Sequence, residues 1–310
     1  MSKKYFLIIN PTAHSGRARR DGEKIIALFK ERGADFDFEW TKKKEDAISI
    51  AHQATCKGYQ ILVAIGGDGT ICEVISGIFA AEVTSRPKLG VIHVGTSPDF
   101  NKNHGIALDI EGAAEALFSN NTKIIDIGKV TYRQDLEGGQ QRIGFFASNA
   151  NFGVGPLVVG KSNSRYRKYL GDFLGTLTAL LVSLVGFRKV DFSVEIEGKK
   201  RTFNKLINLT VGKDPYIGSG MRIFSEIKPD DGKFYIFSIE RKTSWSKFLM
   251  SIPKLYNGNF LEYSGAALQY ASEITINACP QYPFIECDGD IKGYLPAKIE
   301  ILPKALAIVV

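Results

Sequence analysis

The sequence predicts two domains of different class: an α/β domain with a Rossmann-like, mostly parallel sheet, and then a mainly antiparallel β-sandwich domain. Length is the first reason, because 310 residues are many for a single hydrophobic core and suit two domains. Pattern is the second, because strands and helices alternate up to Lys129 and strand patterns dominate after it. We place the domains at residues 1–128 and 129–301.

The first domain consists of repeated strand–loop–helix units. Short apolar runs of the buried-strand type alternate with segments whose apolar residues recur at helical spacing. Such repetition predicts a parallel sheet with helices on both faces. The predicted strands are Tyr5–Ile9, Phe36–Trp40, Ile61–Ile65 and Leu89–Val94, and the predicted helices lie around Asp21–Arg32, Glu45–Lys57 and Ile71–Ala81.

The second domain consists mostly of short β-type stretches, which are typical of an antiparallel sheet or sandwich. Glu197-Gly198 is a hairpin-turn signal between two of them. Two helical segments, Ser164–Phe187 and Ser244–Tyr256, interrupt the strands. The predicted strands are Ile143–Ala150, Val190–Glu197, Asn204–Val211, Lys233–Ile239 and Glu273–Asn277.

Composition excludes some classes of protein and leaves others open. Hydrophobic residues make up 44% and charged residues 24% of the chain, which is ordinary for a globular protein and excludes disorder. The formal net charge of +7 suits an anionic partner such as ATP, an acidic membrane surface or nucleic acid. No nucleic-acid-binding module is recognisable, so we do not expect nucleic acid as a partner.

Targeting signals and cysteines indicate the compartment. A strand pattern begins at Lys4 without a signal peptide before it, and the apolar run Phe173–Phe187 is shorter than the roughly 20 residues that span a bilayer. The four cysteines lack metal-site spacing and are too few for a disulfide scaffold. We therefore expect a cytoplasmic protein, with peripheral membrane association as an option. The oligomeric state stays open, with a homodimer among the alternatives.

The strongest chemical signal is the loop Gly66-Gly-Asp-Gly-Thr70, between an apolar strand and a helix. Glycines let the backbone approach a phosphate closely, and the N–H groups of such a loop and helix N-terminus attract anions. Asp68 cannot itself hold a phosphate, but it can hold Mg2+ that bridges phosphates, or orient a hydroxyl. The alternative is a tight turn without function. The loop lacks the Gly-Lys-Ser/Thr of a Walker A motif and the spacing of a dinucleotide fingerprint.

These segments resemble the diacylglycerol kinase catalytic-domain family, bacterial-type lipid kinases related to sphingosine and ceramide kinases and, more distantly, to NAD kinases. Asn10-Pro-Thr-Ala-His-Ser-Gly16 looks like the family's first motif, with a histidine in place of one glycine. Gly66–Thr70 matches its nucleotide loop. Gly95-Thr-Ser-Pro-Asp-Phe100 is similar to its Gly-Thr-x-Asn-Asp-Phe segment, with Pro98 in place of asparagine.

The resemblance extends to the second domain. Asp231 would offer its side chain to a structural magnesium ion, with Lys228 and Lys233 offering their carbonyl groups. Asp288-Gly-Asp290 is similar to Asp-Gly-Glu, whose last carboxylate the family uses as a general base. The family also implies that residues 302–310 return to the first domain.

The resemblance implies an ATP- and Mg2+-dependent kinase that phosphorylates a diacylglycerol-like or sphingoid hydroxyl at the membrane surface. Asp68 and Asp290 would be the catalytic residues. An NAD kinase-like small-molecule kinase and a catalytically weak nucleotide- or lipid-binding protein stay open as alternatives. The nucleotide-binding residues would be Asn10, Pro11, Thr12, Ser15, Gly16, Thr41, Gly66, Gly67, Asp68, Gly69, Thr70, Glu73, Thr96 and Asp99.

The segment before Phe187 has two interpretations. Its leucines recur at helical spacing, which favours the hydrophobic core. The basic residues Arg165, Arg167 and Lys168 precede this run and favour contact with lipid headgroups. We expect this region to face the membrane if the acceptor is a lipid.

Overall fold

The structure is a computed structural model, and the chain in it divides into two compact units. The first unit contains residues 1–125 and 304–310, and the second contains residues 126–303. A two-domain chain with a sheet-rich C-terminal part was predicted from the sequence, and the structure agrees. The described residues are 4–13, 17–95, 98–137, 139–162, 166–188, 190–217 and 221–310.

The first unit alternates strands and helices. Local pattern explains this order, since the third strand is buried along its whole length and helices with apolar faces flank it. The elements are β1 (Lys4–Ile9), α1 (Ala18–Glu31), β2 (Asp35–Trp40), α2 (Asp46–Cys56), β3 (Ile61–Gly66), α3 (Asp68–Ala80), β4 (Lys88–His93), α4 (Asp99–His104), α5 (Ile110–Ser119) and the start of β5 (Thr122–Arg133).

The strands of this unit pair in the order β2-β1-β3-β4, and every one of these pairs is parallel. The register sets Ile9 opposite Ile65 and Gly66 opposite His93. Parallel strands end at the same edge of a sheet, so the loops after β1, β3 and β4 share one edge, where ligands bind in open α/β sheets.

The core of the first unit packs α1 and α5 on the sheet. Phe29 of α1 meets Tyr5 of β1 edge to face, with ring centroids 5.5 Å apart. Leu117 of α5 belongs to the same buried cluster. Burial of these apolar side chains holds the two helices against the sheet.

The second unit is built mainly of strands. Its elements are the rest of β5, β6 (Gln141–Phe146), β7 (Asn149–Gly153), α6 (Val154–Lys161), α7 (Arg167–Val185), β8 (Val190–Ile196), β9 (Lys199–Gly212), β10 (Tyr216–Ile217), β11 (Met221–Arg222), β12 (Phe234–Glu240), α8 (Trp245–Ser251), α9 (Pro253–Tyr256), a 3-10 turn (Phe260–Glu262), β13 (Ala266–Ala271), β14 (Glu273–Ile276), β15 (Phe284–Cys287) and β16 (Asp290–Val309).

The strands of the second unit pair in antiparallel fashion. The main path runs β13-β12-β9-β7-β15-β16, while β8 pairs with both β9 and β14. Strand β9 pairs with β8 along its first part and with β7 and β12 along its second part. Lys205, whose φ is 54°, lies near a register shift opposite β8. Such an irregularity bends a strand and increases its twist. The apolar faces of these strands enclose a core that contains Phe152, Phe192, Phe203 and Phe234.

Three predicted segments are divided in the structure, and one of them, the predicted helix Ser244–Tyr256, consists of α8 and α9. The predicted strand Ile143–Ala150 is two strands, β6 and β7, because the N–H groups of Ala147 and Ser148 bond to a carboxylate rather than to a neighbouring strand. The predicted helix Ser164–Phe187 is preceded by a separate helix, α6, and α7 itself is interrupted at Gly171, whose φ is 76°. Among the described residues, no helix is long and apolar enough to span a bilayer.

His104 closes α4 inside the first unit. Its side chain is 4% exposed and its ring lies 4.5 Å from that of Phe100, centroid to centroid. Burial lowers the pKa of His104 to about 4, and the charge of Lys123 adds to this effect. The imidazole is therefore neutral at neutral pH, as an apolar environment requires.

This burial predicts a pH-dependent stability. His104 takes up a proton near pH 6.5 in the unfolded chain and near pH 4 in the folded one. The stabilisation of the folded state by neutral His104 is therefore complete above pH 6.5 and declines as the pH falls towards 4. Urea unfolding at pH 7 and pH 5 should show that His104→Gln loses about 2 kcal/mol less between the two pH values than the wild type does. His52→Gln on α2 is the control. Equal losses in His104→Gln and wild type would contradict the assignment.

Candidate active site

Asn10 joins the loops after β1 and β3. Its side-chain amide donates a hydrogen bond to Thr70 Oγ1 at 3.0 Å. Its Oδ1 accepts from the main-chain N–H of Thr12 at 3.0 Å and from the Thr12 hydroxyl at 2.8 Å. The structure thus brings together three residues expected at a nucleotide. Pro11 lies between them and is partly buried.

The glycines at this edge allow two loops to touch through their backbones. A Cβ on Gly66 would lie 2.3 Å from Thr70 Oγ1, and a Cβ on Gly95 would lie 2.7 Å from the Cα of Gly67. No real Cβ tolerates such distances, so glycine is required at both positions. The result is a cradle of main chain, which a side chain would fill and which suits the close approach of a phosphate.

Asp68 is the first residue of α3 and follows the N-cap residue Gly67. Its side chain is 27% exposed, and its Oδ1 lies 3.6 Å from Nε2 of His93. This distance exceeds a hydrogen bond, so the contact is electrostatic. The helix N-terminus stabilises a negative charge at this position. Asp68 is therefore a partly exposed carboxylate directly beside the glycine cradle.

His93 is a residue of this site that the sequence-based reasoning missed. The imidazole Nδ1 accepts a hydrogen bond from the N–H of Gly95 at 3.2 Å. A neutral ring that accepts at Nδ1 carries its proton at Nε2, and that atom faces Asp68. The ring therefore connects the loop after β4 to the carboxylate. Its place at the end of an apolar strand, next to Gly95, was the available signal.

Glu73 holds a neighbouring loop. Its Oε1 accepts the N–H of Glu45 at 3.1 Å, and Glu45 has a φ of 69° as the N-cap of α2. Thr41 is buried, and its N–H donates a hydrogen bond to Ile9 O at 2.9 Å. Both residues thus stabilise the loop between β2 and α2.

The remaining expected nucleotide residues fall into two groups. Gly69 lies in the first turn of α3, and Asp99 is buried at the start of α4. Ser15, Gly16 and Thr96 lie outside the described residues.

In the second unit, Asp288 and Gly289 form the hairpin turn between β15 and β16. Their φ values are 48° and 85°, as a type I′ turn requires. The Asp288 carboxylate accepts N–H groups from Ala147 at 2.9 Å, Ser148 at 3.1 Å and Asn149 at 2.9 Å. Burial raises the pKa of Asp288 even against these donors. Asp290, the expected general base, is the partly exposed residue that follows.

Glu286 is a second group that sequence reasoning missed. Its side chain is 2% exposed, its Oε2 accepts from the Asn151 amide at 2.6 Å, and its Oε1 accepts the N–H of Gly289. Burial is the main cause that raises the pKa of Glu286 to about 7; the nearby carboxylates of Asp288 and Asp290 contribute to this rise, and the hydrogen bonds from Gly289 and Asn151 oppose it. A perturbed carboxyl with defined partners is typical of functional sites. A glutamate inside the apolar run Phe284–Cys287 was the signal.

The residues expected to bind structural magnesium do meet, but around another group. The ammonium of Lys213 lies 2.7 Å from Lys228 O, 2.7 Å from Asp231 Oδ1 and 2.8 Å from Lys233 O. This arrangement does not fit the expected ion, because the ammonium takes its position. Within the part of the chain that the structure describes, no cluster of three or more His, Cys, Asp or Glu is placed to hold a metal.

Two family models match the chain. The model for the diacylglycerol kinase catalytic domain matches residues 4–130. The model for the YegS C-terminal NAD kinase beta sandwich-like domain matches residues 158–310.

Curated relatives match over nearly the whole chain. A diacylglycerol kinase of Staphylococcus haemolyticus is 26% identical over 308 residues, covering 99% of this chain and 88% of the relative. A diacylglycerol kinase of Staphylococcus aureus is 27% identical over 297 residues, covering 96% and 89%.

Solved structures show a likeness of fold. A diacylglycerol kinase from Bacillus anthracis superposes with a TM-score of 0.74 at 22% identity, covering 99% of this chain and 96% of the other. Yeast NADH kinase complexed with NADH superposes with a TM-score of 0.54 at 13% identity, covering 99% and 83%.

The buried Glu286 predicts a second pH effect, opposite in sign to that of His104. The folded state keeps the Glu286 proton up to about pH 7, whereas the unfolded chain releases it near pH 4.5. The contribution of protonated Glu286 to the stability of the fold is therefore complete below pH 4.5 and is lost as the pH rises to 7. Between pH 5 and pH 8 the wild type should lose roughly 2 to 3 kcal/mol through this group, and Glu286→Gln should not. Urea unfolding measures it, with the exposed Glu226→Gln as control. The same loss in Glu286→Gln would refute the buried titration.

Proposed function

This chain belongs to the diacylglycerol kinase catalytic-domain family and is a kinase, and we propose that it transfers the γ-phosphoryl group of ATP to the hydroxyl of a diacylglycerol-like or sphingoid lipid. The observation that carries the proposal is the glycine cradle at Gly67 and Gly95 with Asp68 directly beside it. We regard the first unit as a Rossmann-like nucleotide-binding domain and the second as the lipid-substrate domain.

The first unit fits a nucleotide triphosphate. ATP supplies the phosphoryl group when bound. The main-chain N–H groups at Gly66, Gly67 and Gly69 bind the phosphates, because a glycine loop before a helix N-terminus favours anions. Asn10 and Thr70 keep the two loops at a fixed spacing through their hydrogen bond.

In this proposal, Asp68 is the group that would hold the Mg2+ of the nucleotide. Phosphoryl transfer needs little covalent help from a protein, and its catalysis consists of alignment and of charge neutralisation. His93 positions the Asp68 carboxylate from the end of β4, where its Nε2 lies 3.6 Å from Oδ1. His93 thus acts through Asp68 rather than on the substrate.

The second unit supplies the base. We assign to Asp290 the removal of the proton from the acceptor hydroxyl, a step that contributes about 10²–10⁴-fold to a rate. The type I′ turn of Asp288 and Gly289 fixes the position of the Asp290 backbone at the start of β16. The N–H bonds to Asp288 and Glu286 hold that turn.

A soluble acceptor is the second candidate. The fold likeness to yeast NADH kinase supports an NAD kinase-like enzyme that uses the same Asp68. Parallel assays of ATP consumption with diacylglycerol, sphingosine and NAD distinguish the two candidates. Consumption with NAD alone would favour the soluble acceptor, and none with any acceptor would favour a catalytically weak binding protein.

The exposed face of α7 supports a lipid surface as the partner. One side of the helix is core, with Leu180 at 8% and Leu184 at 2% exposure. The other side exposes apolar side chains, which mark interaction sites when they are grouped. Of the three basic residues expected here, Arg165 and the side chains of Arg167 and Lys168 lie outside the description. The exposed apolar residues are Tyr169, Leu170, Phe173, Leu174, Leu181, Val182 and Val185.

The Asp68 assignment predicts the outcome of a near-isosteric change. Asp68→Asn removes the charge and keeps the shape, so turnover should fall by about 100-fold or more while the melting temperature stays that of the wild type. Steady-state ATP consumption with the preferred lipid measures it. Asp109→Asn, at the N-cap of α5, removes a carboxylate of the same unit and is the control. Wild-type turnover in Asp68→Asn would end the proposed role.

The α7 surface predicts reversible membrane binding. Replacing Leu174 and Val185 by serine should weaken sedimentation with anionic vesicles by about tenfold or more, because burying each apolar side chain contributes about 1.5–3 kcal/mol. Ile143→Ser changes an apolar residue on β6 that is about as exposed as Leu174 and is the control. Changing Arg165, Arg167 and Lys168 to Gln should lower the salt dependence of binding. Unchanged binding in the serine variant would exclude this face.

A further inference from the structure

The Lys213 cluster consists of one lysine ammonium among oxygen atoms of the second unit. Lys213 follows the last residue of β9, and four oxygens lie 2.7–2.8 Å from its Nζ. Two belong to the carboxylates of Asp126 and Asp231, and two are the main-chain carbonyls of Lys228 and Lys233. These are the ligand types that hard divalent cations take in proteins.

The ammonium is enclosed. The Lys213 side chain is 3% exposed, that of Asp126 is 0% exposed and that of Asp231 is 28% exposed. Lysine is almost never buried unless it is paired. An ammonium has N–H donors and no acceptor, so a shell made only of oxygen atoms satisfies it. The short distances are those of charge-assisted hydrogen bonds.

The turn of residues 228–233 surrounds the Lys213 ammonium. Asp231 Oδ2 accepts the N–H of Lys228 at 2.9 Å, and Asp126 Oδ2 accepts that of Gly232 at 2.7 Å. Asp126 also donates its own N–H to Pro229 O at 2.7 Å. The turn of residues 228–233 is thereby tied to β5 and β9. Although burial raises the pKa of Asp231, the Lys213 ammonium and the N–H groups of Lys228 and Lys233 lower it overall.

A divalent ion and the Lys213 ammonium exclude each other. Mg2+ requires oxygen ligands at about 2.0–2.1 Å and Ca2+ at about 2.3–2.6 Å, whereas the centre of the present shell is the lysine nitrogen. We propose that Lys213 supplies an internal cation at the position of a divalent ion, so that the turn of residues 228–233 folds without metal. The inference is independent of the acceptor that the kinase uses.

The charge balance makes the proposal testable. Removing the ammonium leaves the carboxylates of Asp126 and Asp231 close together without a counter-charge, which is strongly destabilising in a buried site. Lys213→Ala vacates the centre of the shell, and a divalent cation then neutralises both carboxylates. Lys213→Met removes the charge and keeps the centre filled, so a cation cannot enter.

Thermal unfolding without nucleotide is the experiment, carried out on the full chain in EDTA and in millimolar Mg2+, Ca2+ or Mn2+. The wild type should melt at one temperature in all four solutions. Lys213→Ala should melt about 6 °C or more below it in EDTA and recover with at least one divalent ion. Lys213→Met should be destabilised without recovery. Lys228→Ala, which removes an exposed charge and keeps the carbonyl, should behave as the wild type.

Three results would overturn the proposal. The first is a wild-type melting temperature that rises with divalent ions, if the Asp231→Asn variant does not show this rise. The second is a Lys213→Ala variant as stable as the wild type in EDTA, and the third is a Lys213→Ala variant whose stability no divalent ion restores. If Lys213→Ala does not fold in any solution, wild-type NMR decides. Mn2+ should leave the amide signals of Lys228, Gly232 and Lys233 at full intensity, and their selective loss would show a metal at the shell.

Discussion

Parallel pairing of β1, β3 and β4 is the constraint on which the first unit depends. It brings three loops to one sheet edge, and the contact of Gly67 with Gly95 then sets how closely two of them approach. Because no side chain fits between these loops, main-chain N–H groups and a helix N-terminus are what the edge offers to a ligand. The Asn10–Thr70 hydrogen bond holds the third loop at the same spacing. A phosphate is the ligand for which such an edge is suited.

The second unit depends instead on buried carboxylates that fold turns around themselves. Asp288 gathers the N–H groups of the turn between β6 and β7, and Asp126 with Asp231 gathers the turn of residues 228–233 around Lys213. Removing a charge from water is costly unless donors or an opposite charge replace the water. Each buried carboxylate therefore fixes the conformation of the turn whose N–H groups bond to it. In each turn, carboxylate oxygens accept main-chain N–H groups of the turn itself.

The local pattern of the sequence accounts for much of the candidate site. Apolar runs at Ile61–Ile65 and Leu89–Val94 predict strands whose ends bear glycine loops, and the position of Asp68 in one loop predicts a carboxylate beside a helix N-terminus. These features depend only on residues that are close together in the sequence, so they can be predicted without knowledge of the tertiary structure. The interruption of Ile143–Ala150 could not be predicted in this way. It arises because Asp288, far along the sequence, takes the N–H groups that would otherwise extend the strand.

By itself, then, the sequence determined the kind of elements, their order and the chemistry of the glycine loop, because propensity and periodicity act over a few residues. Only the tertiary structure decided which group fills the shell at Asp231. The pattern of Asp231-Gly232 is that of a cation-binding turn, and it has no information on a lysine 18 residues earlier. Burial is likewise a property of the packed molecule, and it is burial that raises the pKa of Glu286 to about 7.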